Sequence, residues 1–119
     1  MNKTESLATM AVMPADLNTH GKLFGGQLLK WMDEQAFICA TKNTGKHIVT
    51  VGVERVKFLN PAQNGDLIEI LSKITSMRGA TMTIEISAFI NANNIINPVA
   101  TAKFIMAAVD GNGRPVKIR

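Results

Sequence analysis

One stretch of this chain repeats with the period of a helix, and the stretches after it repeat with the period of a strand. The helical run reads from about Gly25 to Lys42. At about 100° per residue, Leu28, Leu29, Met32, Ala36, Phe37, Cys39 and Ala40 fall on one apolar face. Lys30, Glu34 and Thr41 fall on the polar side. Asn43-Thr44-Gly45 stops the run, and Gly45 suits the left-handed conformation that ends helices. A lone helix has no second helix to pack on, so its apolar face needs a sheet.

The flanking sequence supplies that sheet. Leu7 to Met13 is short and apolar, ends at Pro14, and reads as a first strand. Ala15 to Lys22 is a polar, turn-rich loop. His47 to Phe58 carries Val49, Val51 and Val53 in period two, and then Val56 and Phe58 appear on the other parity. A bulge or strong twist near Glu54-Arg55 accounts for that slip. Asn60 to Asp66 is a loop, Leu67 to Met77 a strand, and Arg78-Gly79 a turn. Met82, Ile84, Ile86, Ala88 and Ile90 then alternate with Thr81, Thr83, Glu85, Ser87 and Phe89. Asn91 to Pro98 reads as a turn region, Val99 to Val109 as the last strand, and Arg114 to Arg119 as a basic tail. Short loops between consecutive strands predict an antiparallel sheet. The expected fold class is α+β, with residues 1–119 forming one domain. Ala100 to Ala108 is small or apolar on both parities, which predicts that a partner subunit covers a second face or an edge.

Composition removes several functions. The 119 residues carry a net charge of +4, which suits an anionic partner. The basic residues are scattered and not interleaved with aromatics, so nucleic acid is not expected. Arg55, Lys57 and Arg78 matter as a group only if they meet around one cleft. The single Cys39 excludes an intramolecular disulfide and reads as a small buried hydrophobe. His20 and His47 are far apart and give no metal-ligand cluster, and no Walker or Rossmann glycine loop is present. His20, in its loop, is a weaker candidate base. No stretch has the length of a membrane span, and Met1 to Ser6 lacks the apolar core of a signal peptide. A cytoplasmic protein with no membrane partner is the expectation.

Asp33 stands out within the helix. The wheel sets it among the apolar residues, while its neighbour Glu34 points to the polar side. A carboxylate in an apolar stripe costs several kcal/mol unless it is paired. It is either a structural residue held by a hydrogen bond or a functional group.

The run Asn18-Thr19-His20-Gly21-Lys22-Leu23-Phe24-Gly25-Gly26, followed by Met32-Asp33-Glu34 and Ala36, resembles the signature of the hotdog-fold acyl-CoA thioesterases. The similarity is greatest to the bacterial YciA-like and brain acyl-CoA hydrolase group. It continues through Val49-Thr50-Val51, Phe58, Gly65-Asp66, Arg78-Gly79-Ala80-Thr81 and Val109 to Pro115, spanning nearly the whole chain. The resemblance implies a long helix wrapped by a five- to six-stranded antiparallel sheet. It implies hydrolysis of acyl-CoA to free acid and coenzyme A, with no metal or other cofactor. Asp33 then serves as general base or nucleophile, and these two roles stay open. Asn18 positions substrate or water from the opposing subunit. The resemblance also implies that pantetheine lies near Thr50, Val51, Gly79, Ala80 and Thr81, beside Phe24 and Gly25. Arg55, Lys57 and Arg78 would meet the phosphates.

Spacing adds an argument of its own. Gly25 and Gly26 open the helix, where a carbonyl can approach backbone N–H groups at the positive end. One such donor is worth about 2.7–4 kcal/mol to a developing oxyanion. Asp33 lies about 10 Å further along the axis, too far to serve a carbonyl held at its own helix N-terminus. It can serve one held at a facing helix, which predicts a homodimer with shared sites and permits a trimer of dimers. Two other readings compete. A hotdog dehydratase needs a His that this helix lacks. A non-catalytic acyl-CoA-binding regulatory domain would leave Asp33 dispensable.

Overall fold

The computed structural model describes residues 4–118. The elements run β1 (Glu5–Ala11), a short 3₁₀ turn (Pro14–Asp16), α1 (Gly25–Thr44), β2 (His47–Phe58), β3 (Leu67–Arg78), β4 (Thr81–Ala92) and β5 (Ile95–Val109). The five strands form one sheet in the order β1-β3-β4-β5-β2. Every neighbouring pair is antiparallel. β1 and β2 are therefore the two edges, and the helix that joins them in sequence crosses one face of the sheet. This is the hotdog arrangement that the sequence predicts.

α1 extends two residues past Lys42, and Gly45 ends it at φ 67°. The Gly45 N–H donates to the Thr41 carbonyl at 2.8 Å. A Cβ at that φ would be strained, so glycine is the residue the cap requires.

The buried arc of α1 differs from the expected one. Leu28, Trp31, Met32, Ala36, Cys39 and Ala40 are buried, whereas Phe37 is exposed and Leu29 and Asp33 are half-buried. The sheet seats on the Leu28–Met32–Cys39 side of the helix, and Trp31 extends that arc. Asp33 stands at the arc's edge and not inside it. The core beneath is built from Ile68, Ile70, Ile84, Ile86, Phe104 and Met106, all nearly inaccessible.

β2 carries the expected irregularity between Glu54 and Lys57, with Arg55 at φ 53°. A second shift lies between Thr50 and Gly52. Three other expectations change. β1 stops at Ala11, because Val12 instead exchanges backbone bonds with Asp66 and Gly65. The Asn91–Pro98 turn shrinks to Asn93-Asn94. Both adopt positive φ, so β4 and β5 continue almost to the tip. The Arg114 end is not a free tail: Val116 N–H bonds the Ala108 carbonyl, and Ile118 is buried.

The face away from the helix carries a ladder of charge. Glu54, Lys103, Glu85, Lys73 and Glu5 stand side by side in one row, one from each strand, with the sign reversing at every step. Lys73 and Glu5 are 3.6 Å apart. Opposite charges directly across a strand pair contribute roughly 0.2–1 kcal/mol each.

Candidate functional site

Asp33 is paired. The Thr50 hydroxyl on β2 donates to Asp33 Oδ1 at 2.7 Å. Oδ2 accepts no hydrogen bond among the described residues. The carboxylate borders an open groove of about 300 Å³, shared with Gly26, Leu29, Lys30, Val53 and Phe104. One oxygen is fixed to the sheet and the other is free to meet a ligand. Sequence reasoning placed Thr50 only beside substrate and missed its bond to the carboxylate. The signal was its period-two position on β2, on the same side as the buried Ile48.

Asn18 is held by its own loop. Its Oδ1 accepts from the His20 and Lys22 N–H groups at 2.9 and 3.1 Å. Its N–H donates to the Lys22 carbonyl at 2.7 Å. With the oxygen engaged, the amide nitrogen Nδ2 remains as the donor the side chain can offer. His20 itself is exposed and enters this site only through its backbone.

Asp16, which the sequence reading did not single out, ties this loop to the helix. Its carboxylate accepts from Gln27 Nε2 at 2.9 Å and from the Met13 N–H at 2.8 Å. Its carbonyl accepts from the Phe24 N–H at 3.0 Å. The Asn18 loop and the first turn of α1 are thereby fixed to each other.

The two glycines at the helix start have different surroundings. A Cβ on Gly25 would lie 3.2 Å from the Phe58 ring, whereas one on Gly26 would meet nothing within 4 Å. Phe24, at the N-cap, supplies no side-chain cap. The first N–H groups of a helix have no intrahelical acceptor, so this end presents donors at its positive pole.

Asn18 and Asp33 do not share a groove. Asn18 lines a second groove of about 320 Å³ with Gly25, Leu28 and Phe58. Gly26 faces the Asp33 groove and Gly25 faces the Asn18 groove.

The expected cationic cluster also divides. Arg55 and Lys57 border a groove on the charged face of the sheet, together with Lys73 and Lys103. Arg78 and Gly79 border another, with Lys117. The three cations do not meet around one cleft, because the β2 bulge and the β3–β4 turn lie on different parts of the sheet. Thr81 and Val49 sit on either side of Ala107 in one register row, about 10 Å apart across two strand spacings. That row adjoins Thr50 and Val51, and Val51 is 62% exposed on the edge strand. The Gly79 and Ala80 carbonyls each accept one backbone hydrogen bond, from the Ile118 and Ala108 N–H groups.

Cys39 is buried, and burial pushes its thiol above the usual value while Lys42 pulls the other way. Among the described residues, no three His, Cys, Asp or Glu side chains come together as metal ligands would. Among them also, no helix is long and apolar enough to cross a membrane.

Residues 20–95 match the family described as the thioesterase superfamily. The chain is 34% identical over 114 residues to the acyl-CoA thioester hydrolase YciA of Salmonella typhimurium, covering 92% of this chain and 85% of that one. The structure superposes on an acyl-CoA hydrolase of Staphylococcus aureus, solved with butyryl coenzyme A and coenzyme A. The TM-score is 0.91 at 28% identity, over 97% of this chain and 71% of the other. That hydrolase has also been solved with an asparagine, an aspartate or a threonine changed to alanine. A hexameric thioesterase of Yersinia pestis superposes with a TM-score of 0.87 at 30% identity, over 92% and 91% of the two chains. Against the acetyl-coenzyme A thioesterase of mouse, 36% identical, the chain spans only 16% of the relative's length.

Proposed function

The chain belongs to the thioesterase superfamily, and from that premise we propose that it hydrolyses acyl-CoA thioesters to free acid and coenzyme A. The observation that carries this reading is the Asp33 carboxylate, held through Oδ1 by Thr50 and open through Oδ2 to a groove. The three alanine positions in the Staphylococcus aureus hydrolase support it, because their spacing along that chain equals the spacing of Asn18, Asp33 and Thr50 here.

Thioester hydrolysis needs an oxyanion site, a base or nucleophile, and an exit for the thiolate. The Gly26 N–H at the open end of α1 polarises the carbonyl, and the Asn18 amide, at the adjoining groove, helps position substrate or water. Asp33 either draws a proton from the attacking water or attacks the acyl carbon itself. The carbon–sulfur bond then breaks, and coenzyme A leaves as a thiolate that takes up a proton; on the nucleophilic route the acyl–Asp33 anhydride so formed is then hydrolysed by water, which frees the acid and restores the carboxylate. No metal or other cofactor enters this scheme.

The parts lie too far apart to act within one subunit. Gly26 and Asp33 are separated by about 10 Å of helix rise, and Asn18 faces a different groove. A homodimer with antiparallel helices would bring the Asn18 and Gly26 of one subunit to the Asp33 of the other. The edge strand β2, with Val49 and Val51 exposed, offers the pairing surface. Three such dimers would make a hexamer, the assembly named for the Yersinia pestis relative. Pantetheine would then lie along Thr50, Val51 and Thr81, with the phosphates on Arg55 and Lys57 or on Arg78. The site needs neither nucleic acid nor membrane, and we place the protein in the cytoplasm, which its single cysteine suits.

The test is thiol release from short to long acyl-CoA esters, with wild type and Asp33→Asn measured together. Loss of a general base lowers turnover by about 10²–10⁴-fold, while substrate binding should survive. Full activity in the variant refutes the role of Asp33. Binding without turnover in the wild type would make the protein an acyl-CoA-binding module. Light scattering should show at least a dimer, and an active monomer would refute the shared site.

A further inference from the structure

The β2 bulge gathers cations on the face of the sheet turned away from the helix. Glu54 pairs with Lys103 and Lys57 with Thr101, so Arg55 and Val56 together stand opposite Ala102 alone. Strict alternation from Glu54 would send Lys57 to the helix side. The extra residue keeps Lys57 on the side of Glu54, while Val56 packs against the core. Arg55 takes φ 53°, a left-handed conformation that residues with a side chain rarely adopt, and joins Lys57 at the outer groove. Strain of this kind clusters at ligand sites.

The groove there holds about 340 Å³, within the range of small-ligand pockets. It follows two register rows, Lys103–Glu85–Lys73 and Lys57–Thr101–Ser87. Thr101 and Ser87 are short, so the long side chains around them leave a hollow. Their hydroxyls make no hydrogen bond among the described residues. Lys73 is already paired with Glu5, at 3.6 Å. Arg55, Lys57 and Lys103 make no ion pair among the described residues, and Lys103 is half-buried. Glu85, the carboxylate on the rim, stands on β4, so it drives an anion toward β2 and β5.

We propose that this groove is a second anion site, apart from the hydrolytic one, and that it takes a diphosphate. The unpaired Arg55, Lys57 and Lys103 carry more charge than one phosphate group, about −2 near neutral pH, would balance. The Arg55 guanidinium holds one phosphate with two parallel N–H donors. Lys57 and Lys103 hold the other, and the Thr101 hydroxyl donates from the floor. The diphosphate of a coenzyme A bound at Asp33 does not reach this groove. Asp33 and Thr50 meet on the helix side of the sheet, and the groove lies on the opposite side. Pairing of two copies through β2 would close the edge that such a molecule has to round. Arg78 is then left for the phosphates of coenzyme A.

The test reads binding, so it does not depend on turnover. Inorganic pyrophosphate, orthophosphate and ADP are titrated calorimetrically into the whole protein, with and without saturating coenzyme A. Pyrophosphate should bind roughly tenfold more tightly than orthophosphate, and Lys103→Gln should weaken it by roughly tenfold or more. Lys103→Arg should keep most of the affinity, which separates lost charge from lost structure. Thiol release should be unchanged in Lys103→Gln, since Lys103 does not border the Asp33 groove. Saturating coenzyme A should leave the pyrophosphate affinity as it was. ADP that binds as tightly as pyrophosphate upholds the site with a nucleotide as the source of the diphosphate, and weaker ADP upholds it with the inorganic anion. Absence of pyrophosphate binding, no preference over orthophosphate, an affinity that Lys103→Gln leaves unchanged, or competition by coenzyme A overturns the proposal. A protein that binds pyrophosphate in this way and releases no thiol upholds the site and refutes the hydrolytic reading, so the two fail separately.

Discussion

Thr50→Val isolates the hydrogen bond that orients the Asp33 carboxylate. Valine keeps the shape of threonine and suits the same strand, so β2 should hold its pairing with β5. Only the hydroxyl that donates to Asp33 Oδ1 at 2.7 Å is lost. That distance is in the range of hydrogen bonds to an ionised acceptor, which contribute about 1.5–3 kcal/mol. Asp33 is half-buried and Thr50 exposed, so solvent competes and the low end applies. A loss of about 1.5 kcal/mol corresponds to roughly a tenfold fall in kcat/KM. The loss should fall mainly on kcat, because the Thr50 hydroxyl is spent on the carboxylate proposed to react. Thr50→Ser should recover most of the activity. In the Asp33→Asn background, Thr50→Val should cost much less, since the two residues act as one unit. Activity within twofold of wild type in Thr50→Val, or equal losses in both backgrounds, would refute this account of the carboxylate.

Two further outcomes follow from the same geometry. Asn18→Ala removes the oxygen that holds the His20 and Lys22 N–H groups as well as the amide donor, so it should lose both loop order and activity. Asn18→Asp keeps the acceptor but replaces the amide donor with a negative carboxylate, so it should unfold near the wild-type temperature while kcat/KM falls by at least about 10²-fold. Equal melting temperatures for all three proteins would count against the loop role. Burial raises the Cys39 thiol above its ordinary 9.0. The folded protein therefore holds that proton to higher pH than the unfolded chain does. The stability this provides is complete below 9.0 and is lost as pH rises through the folded value. Thermal unfolding between about pH 8 and pH 10 should fall more steeply for wild type than for Cys39→Ala, and parallel curves would refute the assignment.

Much of this fold is legible in the sequence because its signals are local. Period two in β4, the phase slip in β2 and the glycine after Thr44 each report a backbone state set by a few neighbours. The failures are non-local. Which side of α1 meets the sheet depends on where the strands lie, so Trp31 turns out buried and Phe37 exposed. The clustered asparagines before Ile95 suggest a loop. Two of them at positive φ need only a two-residue turn, and the strands run on. The candidate site divides the same way. Asp33, Asn18 and the glycine pair are visible as a spaced motif. The Thr50 bond joins an exposed strand residue to a helix residue, and the parity Thr50 shares with Ile48 is its one trace in the sequence. The basic residues separate because the strand order β1-β3-β4-β5-β2 is a property of the whole chain. Asp16 escaped notice because an aspartate in a polar loop looks like any other.

The charge ladder has a consequence for how the chain finds this sheet. Alternating apolar residues exclude any slip by one residue, because that would turn each strand's core side outward. They do not exclude a slip by two, which keeps the same side buried. Moving β4 two residues along β5 would set Glu85 opposite Thr101 or Ile105 and leave Lys103 facing Ser87 or Thr83. A similar move of β3 would separate Lys73 from both of its acidic neighbours. The row of alternating charge therefore separates alignments that the apolar pattern treats as equal. Neutralising Glu85 should leave the native state nearly as stable and make mispaired sheets more frequent during refolding.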